Sequence, residues 1–250
     1  MIVALTGAAD RPRVTLMTAL PLVWGEGNVG DVLAGRTGRS ETLTMLDERF
    51  DVRAIDVVSR ATLGGDIAVI AQPRRLTPHE LVALDKWVRA GGRAMIFADP
   101  ELVWPSRYPL GDSRRAPPVT LLDPLLTHWG IALGDSDHGD HDIRIDGAMV
   151  AFGAAGIWTG PPTCSGNGTY VLDCPIGKGR VVLIGDADLL DPRLWQSRGT
   201  DNPAWLIERL ARLGGATHAN STRLSGVAIA GIGLASSALL ALIYRRMRRT

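Results

Sequence analysis

Apolar positions along the chain fall in short blocks separated by amphipathic segments, a pattern typical of buried strands alternating with helices. Short glycine connections such as Gly91-Gly92 join helices to the strands that follow them. This alternation predicts an α/β fold with a doubly wound, mostly parallel sheet that is covered by helices on both faces. The apolar runs of strand length are residues 14–20, 51–58, 66–71 and 93–98.

The helix with the clearest sequence signal begins at Thr77-Pro-His-Glu80. Thr77 can accept a backbone N–H while Glu80 reaches back to the N–H of Thr77, and together they form a capping box. Pro78 suits the first helical position, where its missing N–H costs nothing. The apolar stripe of this helix consists of Leu81, Leu84, Trp87 and Val88. Other helices are predicted over residues 40–50, 121–129 and 202–213.

The second half of the soluble part has the pattern of short strands joined by polar loops. Residues 143–159 predict two short strands, and residues 169–174 and 179–184 predict a hairpin around Ile176-Gly-Lys-Gly179. Residues 137–142 are predicted to form a polar loop. Its two histidines do not indicate a metal site, because such a site needs three or four convergent ligands.

Leu224–Tyr244 is an uncharged apolar run, and an apolar helix of about 20 residues spans the hydrocarbon core of a bilayer. Four arginines follow at once, which also favours a membrane helix over a buried core helix. The lipid bilayer is therefore an expected partner. The predicted organisation is a soluble domain over 12–215, a linker over 216–223, one transmembrane helix over 224–244 and a basic tail over 245–250.

The sequence leaves open which side of the membrane holds the domain. The arginines after the span predict a cytoplasmic C-terminus, which puts the domain outside. Residues 1–14 have too short an apolar run and no basic region for a signal peptide, which points the other way. The expectation is a single-pass protein of the bacterial inner membrane with a periplasmic domain, and a cytoplasmic domain is the alternative.

Charge and cysteine content narrow the expected partners and compartment. The formal net charge of +1 gives no reason to expect nucleic acid. Cys164 and Cys174 flank a stretch rich in glycine and asparagine, so they can face each other across a hairpin. A disulfide in an oxidising compartment and two free thiols are both consistent with this spacing.

Gly25-Glu-Gly-Asn-Val-Gly30 matches the G-x-G-x-x-G pattern after the first predicted strand, and Asp56 stands near the end of the second. Dinucleotide binding requires the first glycine to make a tight turn that opens a helix directly. Here the strand ends several residues earlier, and more glycines follow. A glycine-rich loop at the strand ends is therefore favoured over a dinucleotide site, with Gly25, Gly27 and Gly30 as candidate ligand contacts.

Asp99, Asp186, Asp188 and Asp191 follow the carboxyl ends of two predicted strands. Ligands of open α/β sheets bind in the crevice at those ends, and carboxylates there can hold a divalent cation or sugar hydroxyls. The alternative is that they cap turns and helices. Asp99, Asp186 and Asp188 are the candidate ligand-binding residues of this group, with no resident metal or cofactor expected.

Motifs for catalysis are missing from the sequence. It has no G-x-S-x-G or G-x-C-x-G elbow, and Gly177-Lys-Gly179 lacks the spacing and the Ser/Thr of a P-loop. We therefore expect neither acyl transfer nor ATP hydrolysis.

Two stretches and the apolar segment 224–244 resemble those of ABC-transporter auxiliary proteins, the gliding-motility-associated (GldG-like) proteins and their relatives. Residues 76–100 resemble their block of helix, Gly-Gly, strand and Asp-Pro, and residues 177–188 resemble their closing strand. The resemblance implies a class I glutamine amidotransferase-like fold without the catalytic residues. It also implies partners, the permease and ATPase subunits of an ABC transporter.

The leading hypothesis is a non-catalytic, membrane-anchored accessory component of an ABC-type transport system that binds a partner or ligand. One alternative is a divergent amidotransferase-like hydrolase, which requires a nucleophile that the sequence does not reveal. The other is a nucleotide-binding membrane sensor, which depends on the glycine-rich loop.

Overall fold

A six-stranded sheet forms the centre of the chain in the computed structural model, which describes residues 11–215 except 28, 29, 32, 33 and 35–37. The strand order is β2-β1-β3-β4-β10-β9, and neighbours are parallel except for the antiparallel β9–β10 pair. The predicted mixed α/β fold with a mostly parallel sheet is thus confirmed. In chain order the strands are β1 (Arg13–Thr18), β2 (Asp51–Ala54), β3 (Ile67–Ala71), β4 (Arg93–Phe97), β5 (Ala132–Ser136), β6 (Asp140–Ile145), β7 (Ala148–Gly153), β8 (Gly156–Thr159), β9 (Val171–Ile176) and β10 (Gly179–Ile184).

Successive side chains of the central strands belong to two apolar cores, one on each face of the sheet. Val69 of β3 packs into the first core and its neighbour Ile70 into the second. Because both faces are covered, the strands are continuous apolar runs. Helices α1 and α5 contribute to the first core, and α2 and α3 to the second. The helices are α1 (Glu41–Arg49), α2 (Pro78–Arg89), α3 (Asp123–His128), α4 (Pro192–Arg198) and α5 (Asn202–Leu213), with a 3₁₀ helix at Asp188–Leu190.

The predicted capping box is present at the start of α2. Thr77 Oγ1 accepts the N–H of Glu80 at 3.3 Å, and Glu80 Oε2 accepts the N–H of Thr77 at 2.8 Å. The helix stops at Gly91-Gly92 as expected. A Cβ at Gly92 would lie 2.4 Å from the ring of Trp87, so only glycine fits this sharp return into β4.

The second half contains two small antiparallel pairs, β5 with β8 and β6 with β7. The prediction of a polar loop over residues 137–142 was wrong for Asp140–Asp142, because these residues begin β6. Exposed and half-buried positions alternate along β6, so polar side chains suit its outer face. Strand β5 and helix α4 were not predicted, and the second predicted strand ends at Ala54 rather than Val58.

The membrane segment predicted from the sequence, Leu224–Tyr244, lies outside the described residues, together with the linker 216–223 and the basic tail. Among the helices of residues 11–215, none has both the length and the apolar character needed to cross a bilayer. Membrane anchoring therefore stays a prediction.

Candidate functional site

The carboxyl end of β1 lies at the switch point of the sheet, because the chain passes from β1 to β2 on one side and to β3 on the other. Ligands of doubly wound sheets bind at such points. A cleft of about 280 Å³ opens there. Residues lining it from the predicted set are Gly25, Gly27 and Asp56. The structure therefore brings the glycine-rich loop and the end of the second strand together at one cavity.

The glycine-rich loop is held against the cleft by the loop that follows β4. Tyr108 Oη donates to the carbonyl of Gly27 at 3.0 Å, and the N–H of Arg107 donates to Glu26 Oε2 at 2.6 Å. Gly25 has φ +64°, a left-handed conformation that favours glycine. Gly30 is exposed and is not among the residues that line the cleft.

The spacing that dinucleotide binding requires is not found at this loop. Strand β1 ends at Thr18, and the turns over residues 19–24 separate it from Gly25. A phosphate therefore does not meet a helix N-terminus directly after the strand, as the dinucleotide fingerprint demands. This geometry favours a glycine-rich loop at the strand ends over a dinucleotide-binding site.

Positively charged, negatively charged and aromatic side chains surround the cleft. The guanidinium of Arg114 lies 4.2 Å from the centroid of the Tyr108 ring, and Asp112 pairs with it through both carboxylate oxygens at 2.9 and 2.6 Å. Glu26 and Asp56 supply negative charge on the lining. Trp24, also on the lining, is 69% exposed. The arrangement can bind a ligand or peptide that offers hydrogen bonds and one flat apolar face.

A second group of predicted residues, the acidic cluster of Asp99, Asp186 and Asp188, lies at the ends of the adjacent strands β4 and β10. Each side chain offers one oxygen, and the three oxygens lie within 4.8 Å of one another. All three residues are buried, with at most 2% of their surface exposed. Asp191, the fourth aspartate of the predicted group, instead caps α4 and pairs with Arg193 at 2.7 Å.

Backbone N–H groups satisfy most of the acidic cluster. Asp99 accepts from Glu101 and Ala187, each at 2.8 Å. Asp188 Oδ2 accepts from Val103 at 2.8 Å, whereas Asp188 Oδ1 has no hydrogen-bond partner within the described part of the chain. Asp186 accepts the backbone N–H groups of Gly153 at 2.8 Å and Leu189 at 3.2 Å. The cluster thus ties together the loops after β4, β7 and β10.

Burial raises the pKa of all three carboxyls, because the charged form is poorly solvated there. The pKa of Asp99 rises to about 6 and that of Asp188 to about 8, and the pKa of Asp186 lies well above its usual range. Repulsion by Asp99 adds to the effect of burial at Asp186 and Asp188. At neutral pH the cluster therefore holds at least one proton.

The acidic cluster is the group of described residues whose donors suit a hard divalent cation. Ca²⁺ takes carboxylate oxygens at about 2.3–2.6 Å, so two ligands on opposite sides of it lie about 4.8 Å apart. The oxygens of Asp99, Asp186 and Asp188 meet that limit. Their backbone hydrogen bonds equally suit a purely structural role, and ligand binding by these residues stays a prediction.

Two groups of residues near the carboxyl ends of the sheet strands were not predicted from the sequence. Gln72, directly after β3, is fully buried with φ +39°. Its Oε1 accepts the N–H of Asp99 at 3.0 Å, and its Nε2 donates to the carbonyl of Pro117 at 2.9 Å. Its position, a polar residue directly after an apolar strand, is the same signal that singled out Asp99. Tyr108 and Arg114 lie in a proline-rich loop without periodicity, so no pattern marked them.

Cys164 and Cys174 are joined by a disulfide, with their Cα atoms 4.3 Å apart. The bond fixes the loop after β8 to the edge strand β9, where Ser165 and Asp173 also pair through their backbones at 2.9 Å. Neither cysteine lines the cleft at β1 or belongs to the acidic cluster.

Solved structures of several unrelated activities resemble this chain. An exo-β-1,4-mannosidase from Opitutaceae bacterium strain TAV5 is 16% identical, with a TM-score of 0.47 over 80% of this chain and 36% of the mannosidase. A β-galactosidase from Rahnella sp. R3 is 12% identical, with a TM-score of 0.49 over 84% of this chain and 32% of the galactosidase. The chain thus spans about a third of the length of these two enzymes.

A ThuA-like protein from Parabacteroides merdae is 12% identical to the chain, with a TM-score of 0.34 over 70% of this chain and 79% of that protein. TM-scores below 0.5 assign neither a fold family nor an activity to the chain. A comparison with curated protein sequences finds no match.

A family model described as an ABC-type uncharacterized transport system matches residues 11–142, more than half of the chain. The matched region contains the cleft at β1, the capping box of α2 and Asp99. The chain therefore belongs to this family, as an auxiliary component of an ABC-type transport system.

Proposed function

We propose that the chain is a membrane-anchored accessory subunit that performs no catalysis and uses the cleft at the end of β1 to bind a partner or ligand of its transporter. The permease and ATPase subunits are the proposed partners, and the α/β domain lies on the periplasmic side of a bacterial inner membrane. Within this proposal, the fold is related to that of class I glutamine amidotransferases and the proteins of the gliding-motility group.

The observation that carries the proposal is the open cleft at the switch point of the sheet. Its rim presents Trp24, an indole that is 69% exposed, beside the carboxylates of Glu26 and Asp56. Large aromatic side chains left in water at a concave site are typical of binding anchors. The acidic cluster contributes indirectly, because Asp188 holds the N–H of Val103 in the same loop that carries Tyr108.

The non-catalytic part of the proposal is supported by the end of β4, where an amidotransferase-like enzyme would need its nucleophile. That position is followed by Asp99, which is fully buried and whose two oxygens each accept a backbone N–H. A carboxylate held in this way is a structural group, since it cannot reach a substrate without losing both bonds.

Co-purification from the native host tests the transporter role. The full chain, tagged and solubilised in mild detergent, is expected to retain permease and ATPase subunits identified by mass spectrometry. Trp24→Ala is expected to reduce their recovery, since it removes the exposed anchor of the cleft. Val82→Ala is the matched control, because Val82 is a half-exposed apolar residue on α2 and is not among the residues of the cleft.

The outcomes separate the parts of the proposal. If no permease or ATPase is recovered with the unmodified chain, the transporter role is wrong. If both are recovered equally with Trp24→Ala, the role stands but the cleft is not the contact. Loss of recovery with Val82→Ala as well would place the contact elsewhere on the domain.

A further inference from the structure

A second cavity, remote in sequence from the glycine-rich loop, lies beside the edge strand β9. It has a volume of about 450 Å³, within the range of roughly 300–1,000 Å³ that is typical of small-molecule sites. Its walls are mainly apolar and include Ile143, Ile145 and Ile157. Ile157 is 43% exposed, so an apolar side chain of the wall is left in water. These features fit an apolar portion of a ligand.

A basic cleft lies beside this apolar cavity. The basic cleft has a volume of about 300 Å³ and is lined by Arg180, Arg209 and Arg212. Asp173 and Arg209 line both cavities, so the two share a wall. An apolar cavity beside three guanidinium groups is complementary to an amphipathic molecule with a negatively charged end.

The arginines of the basic cleft form ion pairs without using all of their N–H donors. Arg180 uses Nε and Nη2 on Asp173, at 2.7 and 3.0 Å, and Arg209 bridges Asp146 and Asp173 at 3.0 and 3.3 Å. Each guanidinium has five N–H donors, so both N–H groups of Arg180 Nη1 stay available to another acceptor. The Arg180 side chain is 61% exposed and can turn toward a ligand.

The charges of the described residues also leave an excess of one positive charge at this end. With Arg144 of the apolar cavity, four arginines line the two cavities. Their carboxylate partners are three: Asp146, Asp173 and Glu208. A ligand with one negative charge would balance this set, whereas a cationic ligand would be repelled.

We propose that the apolar cavity and the basic cleft together bind a single-chain anionic amphiphile, with its acyl chain against Ile143, Ile145 and Ile157 and its carboxylate or phosphate at Arg180 and Arg212. This site is separate from the cleft at β1, and it does not depend on the proposed transporter role.

Photo-crosslinking tests this assignment on the full chain in phosphatidylcholine nanodiscs. The probe is dodecanoate that carries a diazirine on its chain, and peptide mass spectrometry locates the label. The label is expected on peptides that contain residues 143–145 and 157. Unlabelled dodecanoate is expected to compete about tenfold better than dodecanol, the ratio for loss of one charge-assisted hydrogen bond. Raising the salt concentration is expected to weaken labelling.

Variants check the two ends of the site separately. Ile157→Ser and Arg180→Gln are each expected to lower labelling about tenfold. Both side chains are substantially exposed, so the domain should fold, which circular dichroism verifies. The matched controls are Val82→Ser and Arg75→Gln, exposed residues on or near α2 that line neither cavity.

Each remaining outcome also decides the proposal. Label spread over the domain, equal competition by dodecanol, or equal labelling of Ile157→Ser and Val82→Ser would each overturn it. Competition by inorganic phosphate as strong as that by dodecanoate would reduce the site to a simple anion site and overturn it as well. Competition by lysophosphatidylglycerol, which has one acyl chain and one negative charge, supports it and identifies a phospholipid as the source of the amphiphile.

Discussion

The carboxylate of Asp99 accepts the backbone N–H of Ala187 at 2.8 Å, which binds the loop after β4 directly to the loop after β10. Asp188, which follows Ala187, accepts the N–H of Val103 at 2.8 Å. This second hydrogen bond joins the same two loops, with the donor now in the loop after β4. Two carboxyls that repel each other therefore hold the same pair of loops. This coupling makes the stability of the sheet edge depend on the protons that the cluster holds.

We predict that Asp188→Asn stabilises the domain at alkaline pH. The pKa of Asp188 is about 8 in the folded chain against an ordinary value of 3.8, so the native state binds more protons than the unfolded state between these values. Stability of the unmodified protein therefore falls as pH rises from about 4 to about 8. The asparagine cannot ionise, and its amide can still accept from Val103. Thermal unfolding at pH 5, 7 and 9 should show a Tm advantage of the variant that is small at pH 5, larger at pH 7 and largest at pH 9.

The control for this substitution is Asp51→Asn, which removes an exposed carboxylate on β2 that does not belong to the acidic cluster. A Tm of Asp188→Asn below that of the unmodified protein at pH 9 would contradict the prediction. A rise in Tm with CaCl₂ or MgCl₂ at pH 9, seen only in the unmodified protein, would show that a cation rather than a proton balances the cluster.

Local patterns in the sequence predicted the sheet and its helices well, because each rests on neighbouring residues. The capping box at Thr77 and the apolar runs at Ile67 and Met95 depend on short-range chemistry and burial alone. Strand β5 and the first half of β6 escaped this reasoning. Asp140 and Asp142 occupy the exposed face of a small antiparallel pair, where polar residues are stable, so no apolar alternation marked them.

The candidate site was predictable only as far as strand ends can be located. Asp99 and Asp186 come together because β4 and β10 are adjacent and parallel, a relation that strand-end position anticipates. The separation of Gly25 from these aspartates could not be foreseen, since it depends on β3 lying between β1 and β4. Tyr108 reaches Gly27 across 81 residues, and a contact of that range leaves no local signal.

We predict that removing the Cys164–Cys174 disulfide destabilises the domain by about 2–3 kcal/mol, the loss of loop-closure entropy for a short cross-linked loop. Cys164→Ala/Cys174→Ala and the unmodified protein in reductant should have similar midpoints in urea, both below that of the oxidised protein. Reductant should not affect the double variant. Equal midpoints for all four samples would show that the bond contributes nothing to stability.

We predict that Glu80→Gln lowers stability by about 2 kcal/mol at neutral pH, the contribution of a charge-assisted hydrogen bond. Glu80 is buried and accepts from Arg74 at 2.8 Å, and this bond is the main cause that lowers its pKa to about 2. The ordinary pKa of this carboxyl is 4.5, so the contribution of Glu80 to stability is fully present above pH 4.5 and is lost as pH falls toward 2. Urea unfolding at pH 7 and pH 3 should show a smaller difference between variant and unmodified protein at pH 3.

Thr77→Ala is the comparison for Glu80→Gln, because it removes the cap of the same helix without removing a charge. We expect it to cost about 1 kcal/mol at both pH values. The account of Glu80 fails if the two variants lose the same stability with the same pH dependence.

We predict that Gln72→Gly destabilises the domain less than Gln72→Ala does. Both variants remove the side-chain bonds to Asp99 and Pro117, and each leaves the buried N–H of Asp99 without that acceptor, at a cost of about 1–3 kcal/mol. Only alanine keeps the additional cost of a side chain at φ +39°, about 1–2 kcal/mol for a left-handed residue. Urea midpoints should therefore rank the unmodified protein above Gln72→Gly and Gln72→Ala last. If alanine matches glycine, the left-handed backbone at Gln72 carries no strain, and the hydrogen bonds account for the whole loss.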